Sequence, residues 1–310
     1  MIPSFYNRHK IKIITLAPII LGLGFFIYCA LFGLFRIYNT KIPEDFSKVN
    51  LKLDNYVIQE IDRITNKPKW TLNSSHAEAT SDETKAKIIN PELKYFGDEK
   101  GFTISSAYAI LDKSSQAVEL VKDARLDTNN QKIKIQAGKI LFSEASLVIG
   151  FQDSWRLNTD SGYEIIGAEG SITKDFKTII SKTNSTLNSA RDGIKLSADL
   201  ITVNSEADLS IIAEGSAKLD LKNNQELRAE KIEIYKNGKI KALNNVRVVS
   251  AEINCSAARL DVTPHPNKKP KTGIFSGNPS ATQKGNTIFA DIIRYDFDSS
   301  LVSFEGNVHS

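Results

Sequence analysis

Eight alanines punctuate this chain at a step near 30 residues: Ala77, Ala107, Ala137, Ala168, Ala198, Ala229, Ala258 and Ala290, with intervals of 30, 30, 31, 30, 31, 29 and 32. Each opens a run such as "AGKILF", "ADLITV", "AEKIEIY" or "ADIIRY". A second element recurs between the later ones: "AEGSAKL" at 213–219, "LNNVRV" at 243–248, "FSGNPSA" at 275–281 and "FEGNVHS" at 304–310. So regular a step marks a repeated unit. A unit of about 30 residues cannot bury its apolar face alone, so neighbours must stack on a shared core.

The unit is made of strands. Apolar residues fall two apart, as at Ile133 and Ile135, Leu147, Ile149 and Phe151, Ile232 and Ile234, Ile293, Tyr295 and Phe297, and Val302 and Phe304. That period buries one face of a strand. Turn clusters such as "DTNNQ", "NNQE", "KNGK" and "DFDSS" separate the runs. The Gly-Asn and Asn-Asn pairs suit a positive φ or a bulge that carries a strand around a corner. The stretch "SSHAEATSDETKAK" is expected to form one or two helical turns; no later segment holds a period near 3.6. The expected product is two facing antiparallel sheets that grow along one axis.

Ahead of the strands lie 23 uncharged residues, Ile13 to Phe35. As a helix they span about 34 Å, enough for a hydrocarbon core of roughly 30 Å. The exit, "YCALFGLFRIYN", is bulky and aromatic where a cleaved leader would carry small residues. An uncleaved anchor is expected. Arg8, Lys10 and Lys12 crowd its N-terminal side, which favours a cytoplasmic tail at 1–12 and an exported body. Residues 36–49 read as a connector.

The formal charge of +4 comes from the first 36 residues, which hold four basic and no acidic side chains; the rest carries 36 of each. A neutral body gives no footprint for nucleic acid. Two cysteines, Cys29 in the apolar run and Cys255 far from it, make no disulfide framework. His9, His76, His265 and His309 show no metal-ligand spacing, so neither a metal nor another cofactor is expected. The acidic residues after the alanines recur too regularly to be one acid/base pair. No catalytic residue is expected.

These features together resemble a known family. One N-terminal membrane helix, a "W-x-L…A-E-A…I-x-N-P-x-L" stretch at Trp70, Leu72, Ala77, Ala79, Ile89, Pro91 and Leu93, and repeated "A-D-x-I-x-Y…F-E-G-N-V" units are similar to the LptC and LptA/OstA proteins of lipopolysaccharide export. Residues 50–190 resemble the LptC jellyroll and 191–310 an LptA/OstA-like continuation. The resemblance implies an all-β, open β-jellyroll, the β-taco, behind its membrane helix. It further implies a non-enzymatic protein of the inner membrane with a periplasmic body. Such a body holds lipopolysaccharide acyl chains between its sheets, receives them from an LptBFG-type ABC transporter, and joins edge to edge with an LptA-like bridge or an outer-membrane LptD-type jellyroll.

On this basis the lipid slot is expected at Ile104, Ile110, Leu120, Ile133, Ile135, Leu147, Ile149 and Phe151, with Lys132 and Lys134 on a solvated face. Trp70 and Trp155 are expected in the core. The final segment carries Leu301, Val302, Phe304, Gly306 and Val308 with only Glu305 as a charged guard, so it is expected to serve as an edge for strand addition by a partner. The rival reading is a membrane-tethered β-solenoid scaffold with a closed core and no lipid.

Overall fold

The computed structural model describes residues 49–80, 84–97, 101–130, 132–190, 193–221, 225–267 and 269–310. The expected cytoplasmic tail, membrane helix and all of the connector but its last residue lie outside them. Among the described residues no helix is long and apolar enough to cross a membrane.

The described chain is all β. Its strands are β1 (Val49–Ile61), β2 (Pro68–Thr80), β3 (Lys85–Ile89), β4 (Glu92–Tyr95), β5 (Phe102–Ser105), β6 (Tyr108–Asp112), β7 (Ala117–Thr128) and β8 (Ile133–Ser143). They continue with β9 (Val148–Thr159), β10 (Tyr163–Gly167), β11 (Glu169–Thr173), β12 (Thr178–Ser189), β13 (Ile194–Asn204), β14 (Leu209–Asp220) and β15 (Glu226–Tyr235). The last are β16 (Ile240–Val249), β17 (Asn254–Pro264), β18 (Pro270–Ser276), β19 (Ser280–Gln283), β20 (Asn286–Phe289), β21 (Ile292–Asp296) and β22 (Val302–Glu305). The stretch expected to be helical is instead the end of β2 and the start of β3, which pair through Ala77 with Ile88 and Ala79 with Ala86. Its alternation of small and polar residues buries Ala77, Ala79 and Ala86 on a sheet.

Every ladder is antiparallel, and the long strands each serve two sheets. In the first sheet the end of β2 pairs with β3, β3 with β6, and β6 with the start of β7. In the second the start of β2 pairs with β4, β4 with β5, and β5 with the end of β7. From β7 onward both sheets pass through the same chain: Val118 pairs with Phe142 in the first and Leu126 with Ile135 in the second. The ladders continue through β12 and β13 without interruption.

The bend between the two halves has a sequence cause. Two consecutive residues with positive φ recur at Lys122–Asp123, Asp153–Ser154, Thr183–Asn184, Gly215–Ser216, Asn244–Asn245 and Gly277–Asn278, and Gly306 follows at φ 85°. At each of the first five the ladder register shifts, for instance between Lys182 and Ser185 against Leu200 and Ala198. Two residues then oppose one, a bulge that bends a strand out of its sheet. Seven of the eight alanines, Ala107 to Ala290, lie at this same corner, whereas Ala77 sits inside β2 in unbroken register with Ile88 of β3. The seven are corner residues inside strands or between paired short strands, where a small side chain lets the two sheets meet, and so the reading of them as strand starts is corrected.

The acidic residues beside the alanines complete the corner. Asn307 N–H donates to Asp291 Oδ2 at 3.0 Å, and the Asn245 amide donates to Glu230 Oε1. At Gly215, φ 76°, a Cβ would stand 2.8 Å from the Asp199 Cβ. Glycine is there for two reasons: left-handed backbone and a neighbouring carboxylate on top of it.

Between the sheets runs one apolar core from Trp70 to Phe297. Trp155, Tyr295, Phe102, Phe142, Phe151 and Phe275 are among its fully buried side chains. Both expected tryptophans belong to it.

Candidate functional site

The interior between the sheets is the candidate site, and most expected slot residues are in it. Ile104, Leu120, Ile149 and Phe151 are fully buried, Ile135 is 1% exposed, and all five belong to the core. Ile133 is partly buried and packs against it. Lys132 and Lys134 are exposed.

Two expectations are corrected. Leu147 is 84% exposed, because it sits in the β8–β9 turn one residue before β9 begins, and turn geometry there overrides the period of two. Ile110 is buried but lies outside the core cluster. Its β6 neighbours Ala109 and Leu111 face the core, and Ile110 pairs with Lys87 and Glu119 on the outer face. The run "YAIL" offers four apolar or aromatic residues in succession, so alternation alone could not say which pair points inward.

Because the corners join the sheets along one side, the opposite side is a mouth lined by hairpin turns. Near the start of the chain this mouth is spanned by aromatic side chains. Trp70, Tyr95 and Phe102 come from the second sheet, Phe142 and Phe176 from the first. Phe142 meets Trp70, Tyr95 and Phe102 edge-on, with ring centroids 6.1, 6.1 and 6.2 Å apart, and Phe176 meets Phe102 at 5.7 Å. Tyr95 stacks on Phe102 at 4.9 Å. Such pairs add roughly 0.5–1.5 kcal/mol each beyond their buried area.

Charge follows the rings. Lys174 Nζ lies 5.4 Å from the Tyr95 centroid and 5.0 Å from that of Phe142, and donates to the Glu144 carbonyl at 2.9 Å. Burial pulls the Lys174 pKa down; the Glu144 carboxylate opposes this and Lys69 adds to it. Lys69 Nζ reaches Glu144 Oε1 across the mouth at 3.7 Å. The Trp70 indole N–H and Glu144 Oε2 are buried with no hydrogen-bond partner. The sequence reading missed this cluster. Its signal was an aromatic inside a polar turn, Phe176 in "TKDFKT", where a solvated turn would have no use for a ring.

A second tie crosses near the other end. Gln225, 3% exposed, donates from Nε2 to Tyr295 Oη at 2.8 Å and to Ser300 Oγ at 3.2 Å. A cleft of about 320 Å³ lies at the outer corner, lined by Arg125, Gln136, Gly138, Ser154 and Arg156 among others. None of the expected slot residues lines it.

The two flanks of the sheets differ from their middles. Among the described residues β1 pairs only with β2, and β22 only with β21. Leu301 is 70% and Val308 52% exposed, Gly306 is exposed, and Val302 and Phe304 pack partly on the core. Past Gly306 the chain crosses to the second sheet, where His309 bridges Phe289 and stacks on its ring at 5.4 Å.

Among the described residues no group of three or more His, Cys, Asp or Glu could hold a metal. Cys255 is buried and its thiol is pushed up to about 12 by that burial. Two antiparallel sheets folded over one apolar interior, with strand edges at both flanks, define a β-jellyroll. Residues 22–173 match the family model described as lipopolysaccharide-assembly, LptC-related. No curated protein matches the chain. Among solved structures it is similar to LptH of Pseudomonas aeruginosa, the LptA homologous periplasmic component of the lipopolysaccharide transport device. The identity is 8% and the TM-score 0.32, over 37% of this chain and 82% of that one.

Proposed function

We propose that this protein is an inner-membrane-anchored periplasmic bridge that carries lipopolysaccharide toward the outer membrane, its N-terminus cytoplasmic and its acyl-chain slot between the two sheets. It receives lipid from an LptBFG-type ABC transporter. It hands the lipid on to an LptA-like bridge or an LptD-type jellyroll joined to its strand edge. Residues 191–310 extend the LptC-like part, 50–190, as further bridge units.

The observation that carries this reading is the single apolar interior, continuous from Trp70 to Phe297, in a chain whose residues 22–173 match the LptC-related family model. Burial in it is worth roughly 0.8 kcal/mol per CH₂, while sugars and phosphates stay in water at the mouth. The scaffold reading draws on the tight filling of the same interior, where Leu72, Ile88, Leu93 and Leu126 are fully buried.

Photocrosslinking in cells separates the two. A photoreactive residue at inward Ile135 should capture lipopolysaccharide, and one at outward Lys134 should not. No lipid adduct at either position, with the protein folded, would leave the scaffold.

A further inference from the structure

A filled interior raises the question of where a chain gets in, and the contacts across the mouth are not evenly distributed. Between the first and second sheets the ring contacts Phe142–Trp70, Phe142–Tyr95, Phe142–Phe102 and Phe176–Phe102, the Lys174 cation over Tyr95, and the Lys69–Glu144 ion pair all fall within one short length of the mouth. Each is made by the end of a strand or by a hairpin turn, and none by the corner that holds the sheets together.

We infer that this clasp is a lipid entry port: the rings of Phe142 and Phe176 part from Tyr95 and Phe102 to admit an acyl chain, and the Lys174 ammonium then meets the anionic head of the same molecule. The inference rests on the lipid reading above. The chemistry fits an amphipathic lipid with a negatively charged head. Aromatic edges and faces exchange one apolar partner for another at little cost, since an acyl chain replaces the ring contacts that opening breaks. Lys174 is half-buried over two rings, a position in which an anion gains more from it than from a solvated lysine. The buried, unpartnered Trp70 N–H offers a second donor in the same cluster, and Glu144 Oε2 an acceptor for a sugar hydroxyl. The ties that keep the port shut are the weak kind: the Lys69–Glu144 pair is partly exposed, and exposed pairs add little.

The test locks the port. In a full-length Cys29→Ser chain, Lys69→Cys with Glu144→Cys is bridged by a short, thiol-cleavable bifunctional reagent, and Lys177→Cys with Glu206→Cys, on neighbouring turns of one sheet, serves as the control bridge. Cys255 stays in place, being buried. The readout is lipopolysaccharide captured in cells by a photoreactive residue at Ile135. The expected result is loss of the adduct under the cross-mouth bridge, its return on cleavage with thiol, and no loss under the control bridge. An adduct that persists under the cross-mouth bridge overturns the port and leaves the lipid reading intact. Loss under both bridges also overturns it, since any modification would then suffice. Absence of adduct in the unmodified chain removes the lipid reading itself. A photoreactive residue at Phe142 gives an independent measurement: lipid capture supports the port, and capture of neighbouring protein alone overturns it.

Discussion

Two buried glycines separate packing from backbone freedom. A Cβ on Gly170 would stand 2.4 Å from the Trp155 ring, whereas one on Gly150 would make ordinary contacts of 3.5 Å with Leu141. Gly170→Ala should therefore cost about 1–3 kcal/mol by overpacking, and Gly150→Ala should leave the urea midpoint nearly unchanged. Equal losses would show that the indole can move aside. Cys255 offers a second residue-scale expectation: with its thiol pushed up to about 12 and buried, it should resist iodoacetamide at pH 8 until the chain is unfolded. Rapid labelling of the native chain would contradict that burial. At this scale the sequence was most legible where polar neighbours framed an apolar residue, as at Ile135 between Lys134 and Gln136. It was least so in "YAIL", where nothing polar marked the faces.

Individual strands and turns carry the next two expectations. The β21–β22 turn is built on Asp296, which accepts from Ser299 N–H and Oγ, each at 2.8 Å, and from Asp298 N–H at 3.1 Å. The Ser299 bonds hold its carboxyl below the usual 3.8. A depressed pKa stabilises the fold while the group is ionised, above the unfolded value, and that stability is lost as pH falls through the folded one. Asp296→Asn should therefore weaken the fold near pH 7 and converge with the parent chain at pH values below about 3.8; a constant difference down to strong acid would remove the carboxylate from the account. On β22, Asp296 N–H donates to the Leu301 carbonyl, and antiparallel alternation then turns the Val302 and Phe304 N–H groups away from β21. Val302→Pro should leave the fold intact and abolish strand addition by a partner, read as lost protein crosslinks from position 304. The corners show what the sequence could and could not say about elements. Gly-Asn and Asn-Asn announce them late in the chain, but Lys122–Asp123, Asp153–Ser154 and Thr183–Asn184 make the same turn with residues that favour it less, and there the sequence carries no such mark.

Across the whole molecule, the architecture was legible because one pattern is written many times, so errors at single positions average out. Period, turn clusters and corner residues all pointed to two stacked sheets. The mouth was not legible for the opposite reason. The clasp joins Lys69 and Trp70 to Phe142, Glu144 and Lys174, residues brought together only when the sheets close, and among the described residues it is not repeated from unit to unit.

Every long strand from β7 to β17 forms part of both walls, and this frees one dimension from the other. Width is set inside each strand, by the distance from its corner to its ends, whereas reach is set by how many strands stand side by side, at about 4.8 Å apiece. A duplicated pair of bent strands would lengthen the body by roughly 10 Å without altering its gauge, so reach can be adjusted by counting units while the width of the interior stays the same.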